Sequence, residues 1–288
     1  SELTGEAGGG SARTVFGDEI RRLWGYFKLP TFGVIILQGI FGSVPWSALG
    51  FSALYFQEAG LSSFQASILM GVCLASTALG SLLGGAIGDS FARRWRHHGR
   101  PLAAQVSVSL GIPLVWLIFA GVPVGPDSFT RFLELFTLLG LTATWCGAGV
   151  NWPILSEIVA PRNRCAIVAW DTALEGASAA LLGAPAVGFL AQDCFGYSLS
   201  KQPLHEERHG SPERARALGR ALAWTCSVPW LVCLVCYTFM HWSYPLDLRR
   251  IALRRRLRDK RPMPISSSLP STRVPLLAAC HAHGGQEN

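Results

Sequence analysis

Between Glu58 and Asp89 the chain reads AGLSSFQASILMGVCLASTALGSLLGGAIG (59–88), 30 residues without a charge. A helix needs about 20 predominantly apolar residues to cross a hydrocarbon core ~30 Å thick. This run is long enough to span and to emerge at both ends. Outward from it the pattern repeats: 29 uncharged residues lie between Lys28 and Glu58, 26 between Arg100 and Asp127 and 22 between Glu134 and Glu157. A further 17 lie between Glu175 and Asp193, and 26 between Arg220 and Asp247. The expectation is an all-α membrane protein with six transmembrane helices at 31–56, 64–88, 102–124, 132–155, 166–191 and 221–245.

Composition agrees. Half of the 288 residues are hydrophobic and 15% are charged, where soluble domains carry about 25% charged residues. That excludes soluble, fibrous and disordered classes. Unbroken apolar runs exclude an outer-membrane barrel, whose strands alternate. Of the eight cysteines, Cys73, Cys146, Cys226, Cys233 and Cys236 lie within apolar runs, so neither a disulfide framework nor a metal site is expected, and no cofactor.

The net charge of +7 is spread by topology. With the segment before the first span in the cytoplasm, 19 Lys and Arg fall on that side and six on the other, as the positive-inside rule requires. Both termini are expected in the cytoplasm of a multi-pass membrane protein, with no nucleic-acid partner. Residues 1–17, with Gly8-Gly9-Gly10-Ser11, read as a flexible linker. In 18–28, Ile20, Leu23, Trp24 and Phe27 recur at helical spacing beside Arg21, Arg22 and Lys28, an amphipathic interfacial helix. The bundle occupies 29–247, its last helix beginning at Ser211-Pro212-Glu213 by N-cap and proline chemistry. A basic juxtamembrane segment at 248–261 is expected to bind anionic lipid, and a disordered tail follows at 262–288.

Within the spans, Gly80, Gly84 and Gly88 at four-residue spacing, and Gly176, Ala180, Gly183, Ala184 and Gly188, predict close helix packing. Pro45, Pro113, Pro153, Pro185 and Pro229 predict kinks. Two loop motifs stand out. Gly85-Ala86-Ile87-Gly88-Asp89-Ser90-Phe91-Ala92-Arg93-Arg94 closes the second span, and Glu157-Ile158-Val159-Ala160-Pro161-Arg162-Asn163-Arg164 links the fourth to the fifth.

The first motif resembles the loop signature of the major facilitator superfamily, with Ser90 in place of its first basic residue and Ala92 in place of its glycine. The second resembles the acid-to-arginine motif at the equivalent place in each six-helix half. The resemblance covers about residues 25–250, and 151–196 is similar to a plant and algal branch, as are Ser43–Leu49 and Ser243–Asp247. It implies the C-terminal half of a twelve-span fold, with an absent N-terminal half or a homodimer partner. A linker-like start without methionine agrees with a fragment. It implies gating by Asp89, Arg93 and Arg94 at one loop, and by Glu157 bridging to Arg164 at the other.

Ionisable groups inside a bilayer are costly and are functional candidates by default. Asp171 and Glu175 qualify, one turn apart in span five, with Glu175 about 16 Å beyond Arg164 at 1.5 Å per residue. A carboxyl near the midplane suits proton-coupled transport or a cationic solute, while Asp171 is placed to pair with Arg164. Gln38, Trp46, Gln105, Trp145, Asn151 and Trp152 are further cavity candidates. No phosphate-cradling loop, catalytic triad or HExxH occurs, so an enzyme is not expected. The leading reading is a secondary transporter moving a small-molecule solute by alternating access. The alternative is a transport-inactive scaffold or sensor that keeps the fold.

Overall fold

The computed structural model describes residue 17, residue 21, 24–197 and 210–259, in which six long apolar helices account for almost everything and no strand occurs among the described residues. They are α1 (Pro30–Glu58), α2 (Ser63–Arg94), α3 (Gly99–Gly121), α4 (Pro126–Ile158), α5 (Pro161–Cys194) and α6 (Pro212–Arg254), the last continuing to Asp259. The protein is an all-helical membrane protein. The chain divides after Ile251 into the bundle and a second unit, whose described part is that continuation of α6.

Local chemistry sets the helix ends. Proline stands at the first helical position of α1, α4, α5 and α6, where its missing N–H would be unpaired anyway. Ser62 and Gln65 form a reciprocal capping box at the start of α2. The start of α1 has no cap of its own; instead the buried Asp247 carboxylate of α6 accepts from the Thr31 amide at 2.9 Å. An anion is favoured at that helix end, so the first and last helices are tied together.

Small residues set the packing. Glycines of α2 lie against α4: a Cβ on Gly84 would come within 2.6 Å of the Trp145 Cα, and Gly80 and Gly88 abut the Gly140 and Gly149 carbonyls. In lipid, helices associate through such backbone approach rather than through apolar contact. In α5 only part of the expected small-residue packing forms, because Gly183 meets Ser47 of α1 while nothing lies near Gly176 or Gly188. Of the most apolar stretch of α5 only 11% is buried, against 56% in α6. α5 therefore shows most of its surface.

Four wide π-type turns interrupt the helices, at Leu117–Gly121, Gly147–Asn151, Ala179–Gly183 and Leu190–Cys194. α6 runs through Pro245, and Leu248 and Ile251 pack on the core. The basic segment at 248–261 is helical, in one element with α6, as far as Asp259. Gly17, Arg21 and 24–26 are helical, with Trp24 against Phe27 at 5.4 Å. The linker at 1–16 and the tail at 262–288 lie outside the described residues.

Candidate functional site

A cavity of about 490 Å³ opens between α1, α2, α4 and α5. Its wall includes Gln38, Trp46, Ser81, Thr144, Asn151 and Glu175. Counted at 1.5 Å per residue from Pro30, Ile158 and Arg164, Gln38, Asn151 and Glu175 lie roughly 10–16 Å inward, close to half of a ~30 Å core.

The back of the cavity is a buried polar chain. Asn151 Nδ2 donates to Gln38 Oε1 at 2.7 Å, and the Tyr237 hydroxyl donates to Asn151 Oδ1 at 3.1 Å. Cys233 Sγ contacts the Gln38 carbonyl oxygen at 3.5 Å. Three helices, α1, α4 and α6, are joined by these side chains. Each amide has a partner, as buried polar groups require, so the wall is preorganised rather than adaptable. Trp46 stands beside it with its ring against Trp230 at 6.3 Å.

Glu175 differs from its neighbours. Its half-buried carboxylate reaches the cavity over Gly39 of α1, where a Cβ would sit 2.6 Å from Oε1. It makes no hydrogen bond or ion pair with a described residue. Gly39 and Gly42 open the space, a Cβ on Gly42 coming within 2.6 Å of Gln38 Nε2. One turn away, Asp171 is buried and neither carboxylate oxygen has a hydrogen-bond partner. Its expected pair with Arg164 does not form; Arg164 is exposed at the helix start.

The other candidates fall elsewhere. Gln105 donates to Thr238 and meets His241, both at 3.0 Å, on the α3–α6 face away from the cavity. Trp145 turns its ring back to the Leu141 carbonyl at 2.7 Å and packs on Gly84. Trp152 is 48% exposed and does not line the cavity.

At the arginine-bearing end of the bundle the loop motifs do not pair as expected. Glu157 receives the Tyr244 hydroxyl and lies 3.8 Å from Arg100, rather than bridging to Arg164. Asp89 pairs with Arg100 at 3.0 Å. Arg94 lies over the Trp95 ring, and Arg93 is exposed. Arg100, which the motifs did not single out, is the hub. It also donates to the Gly149 carbonyl at 3.0 Å. That carbonyl lies in the wide turn at Gly147–Asn151, where the Trp152 amide pairs with Gly147 five residues back and Pro153 brings no N–H, and Arg100 supplies the carbonyl with a donor. The role of Arg100 was not legible in the sequence, because its carbonyl partner lies 49 residues away. Tyr237 was missed because its partner lies 86 residues away.

No family model matches the chain, and no curated protein does. Solved structures do. The chain resembles a bacterial homolog of the human lysosomal transporter Spinster in its inward-facing, unoccupied conformation, with a TM-score of 0.59 at 17% identity over 86% of this chain and 54% of that one. The inward-facing, occupied form gives a TM-score of 0.52 at 20% identity, over 78% and 50%. The fold is of the major facilitator type, and the chain spans about half the length of the structures it matches.

Proposed function

We propose that this chain is one six-helix half, the C-terminal one, of a secondary transporter that moves a small solute across a membrane by alternating access. Glu175 is its proton- or cation-coupling group and Asp171 assists. The observation that carries this reading is an acid without a hydrogen-bond or ion-pair partner among the described residues, deep in the helix that bears it and facing a cavity whose two amides, Gln38 and Asn151, are already hydrogen-bonded. A structural acid would be expected to use its charge on a neighbour; this one is available to a ligand. The transporter structures that share the fold support it.

The exposed side of α5 is where a second six-helix body would close the cavity, as an N-terminal half or a second copy of the chain. Midplane sites between two such bodies are how rocking transporters are built. No covalent step is involved. Asp89, Arg100, Glu157 and Tyr244 hold the cytoplasmic end of this half in one arrangement.

The test is solute-driven proton flux in proteoliposomes loaded with a pH-sensitive dye, using pools of organic cations, amino acids and sugars. Glu175→Gln should lower coupled flux by at least about tenfold, the equivalent of ~1.4 kcal/mol, and Asp171→Asn by less. Flux unchanged by Glu175→Gln would remove Glu175 from the mechanism. Chain-to-chain crosslinks through α5 would identify the second body as another copy.

A further inference from the structure

Arg216 and Arg220 stand one turn apart near the start of α6, at the end of the bundle opposite the Arg93–Arg100 loop, and both are exposed. Side chains four residues apart on a helix share a face, with Cβ atoms about 6 Å apart. Neither guanidinium makes a hydrogen bond or ion pair with a described residue. Arg214, by contrast, is spent on the buried Glu58 carboxylate at 3.1 Å. Both guanidiniums border a cavity of about 460 Å³ whose other described wall runs from the end of α3 to Val124. The carbonyls of that helix end carry about half a negative charge, well short of answering two cations.

Toward the middle of the bundle the same face of α6 continues as Trp224, Val228 and Leu231, all about half exposed. Trp224 is braced edge-on by Trp116 of α3 at 5.4 Å. From Arg220 to Leu231 the helix rises about 16 Å, the depth of one leaflet of a ~30 Å core. The inward face of α6, with Trp230, Cys233 and Tyr237, is buried, so this stripe is the side turned away from the polar chain. A cationic fork, an aromatic belt and an apolar stripe of leaflet length follow one another down a single face.

We propose that Arg216 and Arg220 clamp the phosphate of an anionic phospholipid whose acyl chain lies along Trp224, Val228 and Leu231. Paired guanidiniums match phosphate oxygens through parallel charge-assisted hydrogen bonds. The apolar stripe below them selects a lipid over a free anion. This site is distinct from the basic continuation of α6 at the other end and does not depend on transport.

The test uses the full chain in vesicles of phosphatidylcholine, alone or mixed with phosphatidylglycerol, followed by extraction and native mass spectrometry of retained lipid. Wild type retains phosphatidylglycerol preferentially. Arg216→Gln with Arg220→Gln loses that preference by at least about tenfold, as expected for the loss of charge-assisted hydrogen bonds. Arg131→Gln, at an exposed residue near the start of α4 on the same end of the bundle, keeps it. Circular dichroism and elution in phosphatidylcholine establish that the variants fold. If the glutamine pair does not fold, Arg216→Lys with Arg220→Lys, which keeps the charge and loses the fork, must show reduced retention. Equal retention by the folded Arg216/Arg220 variant, or equal loss from the Arg131 variant, overturns the proposal. So does stabilisation of the wild type by inorganic phosphate in lipid-free micelles that the Arg216/Arg220 variant abolishes, since that would mark a free-anion site.

Discussion

Replacing Arg100 by methionine keeps most of the side-chain volume and removes its donors. The guanidinium donates to the Gly149 carbonyl at 3.0 Å and to Asp89 at 3.0 Å, and its side chain is only 13% exposed. A hydrogen bond from a charged group contributes about 1.5–3 kcal/mol. The Asp89 side chain is 57% exposed, so that ion pair contributes only about 0–1 kcal/mol. The loss from Arg100→Met should therefore be about 2–4 kcal/mol, and Asp89→Asn should cost under about 1 kcal/mol. Helix content of the chain in mild-detergent micelles, followed by circular dichroism as a denaturing detergent is titrated in, gives both losses. An Asp89→Asn loss as large as that of Arg100→Met would refute the assignment of Arg100 to the Gly149 carbonyl.

Gly84→Val should destabilise the bundle by at least about 3 kcal/mol in the same titration, since even a Cβ there falls 2.6 Å from the Trp145 backbone and overpacking costs about 1–3 kcal/mol before lost helix contact is added; Gly85→Val, with nothing within 4 Å, is the control and should be nearly neutral. Tyr237→Phe should cost about 1–3 kcal/mol by leaving Asn151 Oδ1 unsatisfied. It should also weaken solute-driven flux without abolishing it, and flux lost as completely as in Glu175→Gln would mean that the tyrosine itself carries the coupling.

The spans were legible because lipid imposes a length and forbids charge, and both constraints are local. Even α5, with only 17 uncharged residues beyond Glu175, was recoverable because the two acids inside it stood out. Helix starts were legible for the same reason: proline at the first turn and the Ser62–Gln65 box act within four residues. Partners were not. Glu157 had two arginines within reach by sequence, Arg162 and Arg164, yet it meets Tyr244 and Arg100, brought to it by α6 and α3. Gln105 and Trp145 have the residue types of a cavity wall, but helix rotation, fixed by glycine contacts elsewhere, turns them away. Asn151 shows the same dependence, because the wide turn at Gly147–Asn151 resets the helical phase just before it and sequence periodicity alone cannot carry the count across.

Five of the six helices are tied ionically at the two extremities, α2, α3 and α4 by Arg100 with Asp89 and Glu157 at one, and α1 and α6 by Glu58 with Arg214 at the other. A bundle fastened top and bottom transmits displacement instead of absorbing it. Bending would strain two sets of charged contacts at once, whereas tilting the whole body disturbs neither. Compliance is therefore concentrated along the exposed flank of α5, which α1 holds on the opposite side through Gly183 against Ser47 and the Ser43–Ser178 hydroxyls, and a molecule wedged against that flank would stiffen the one long wall left open among the described residues.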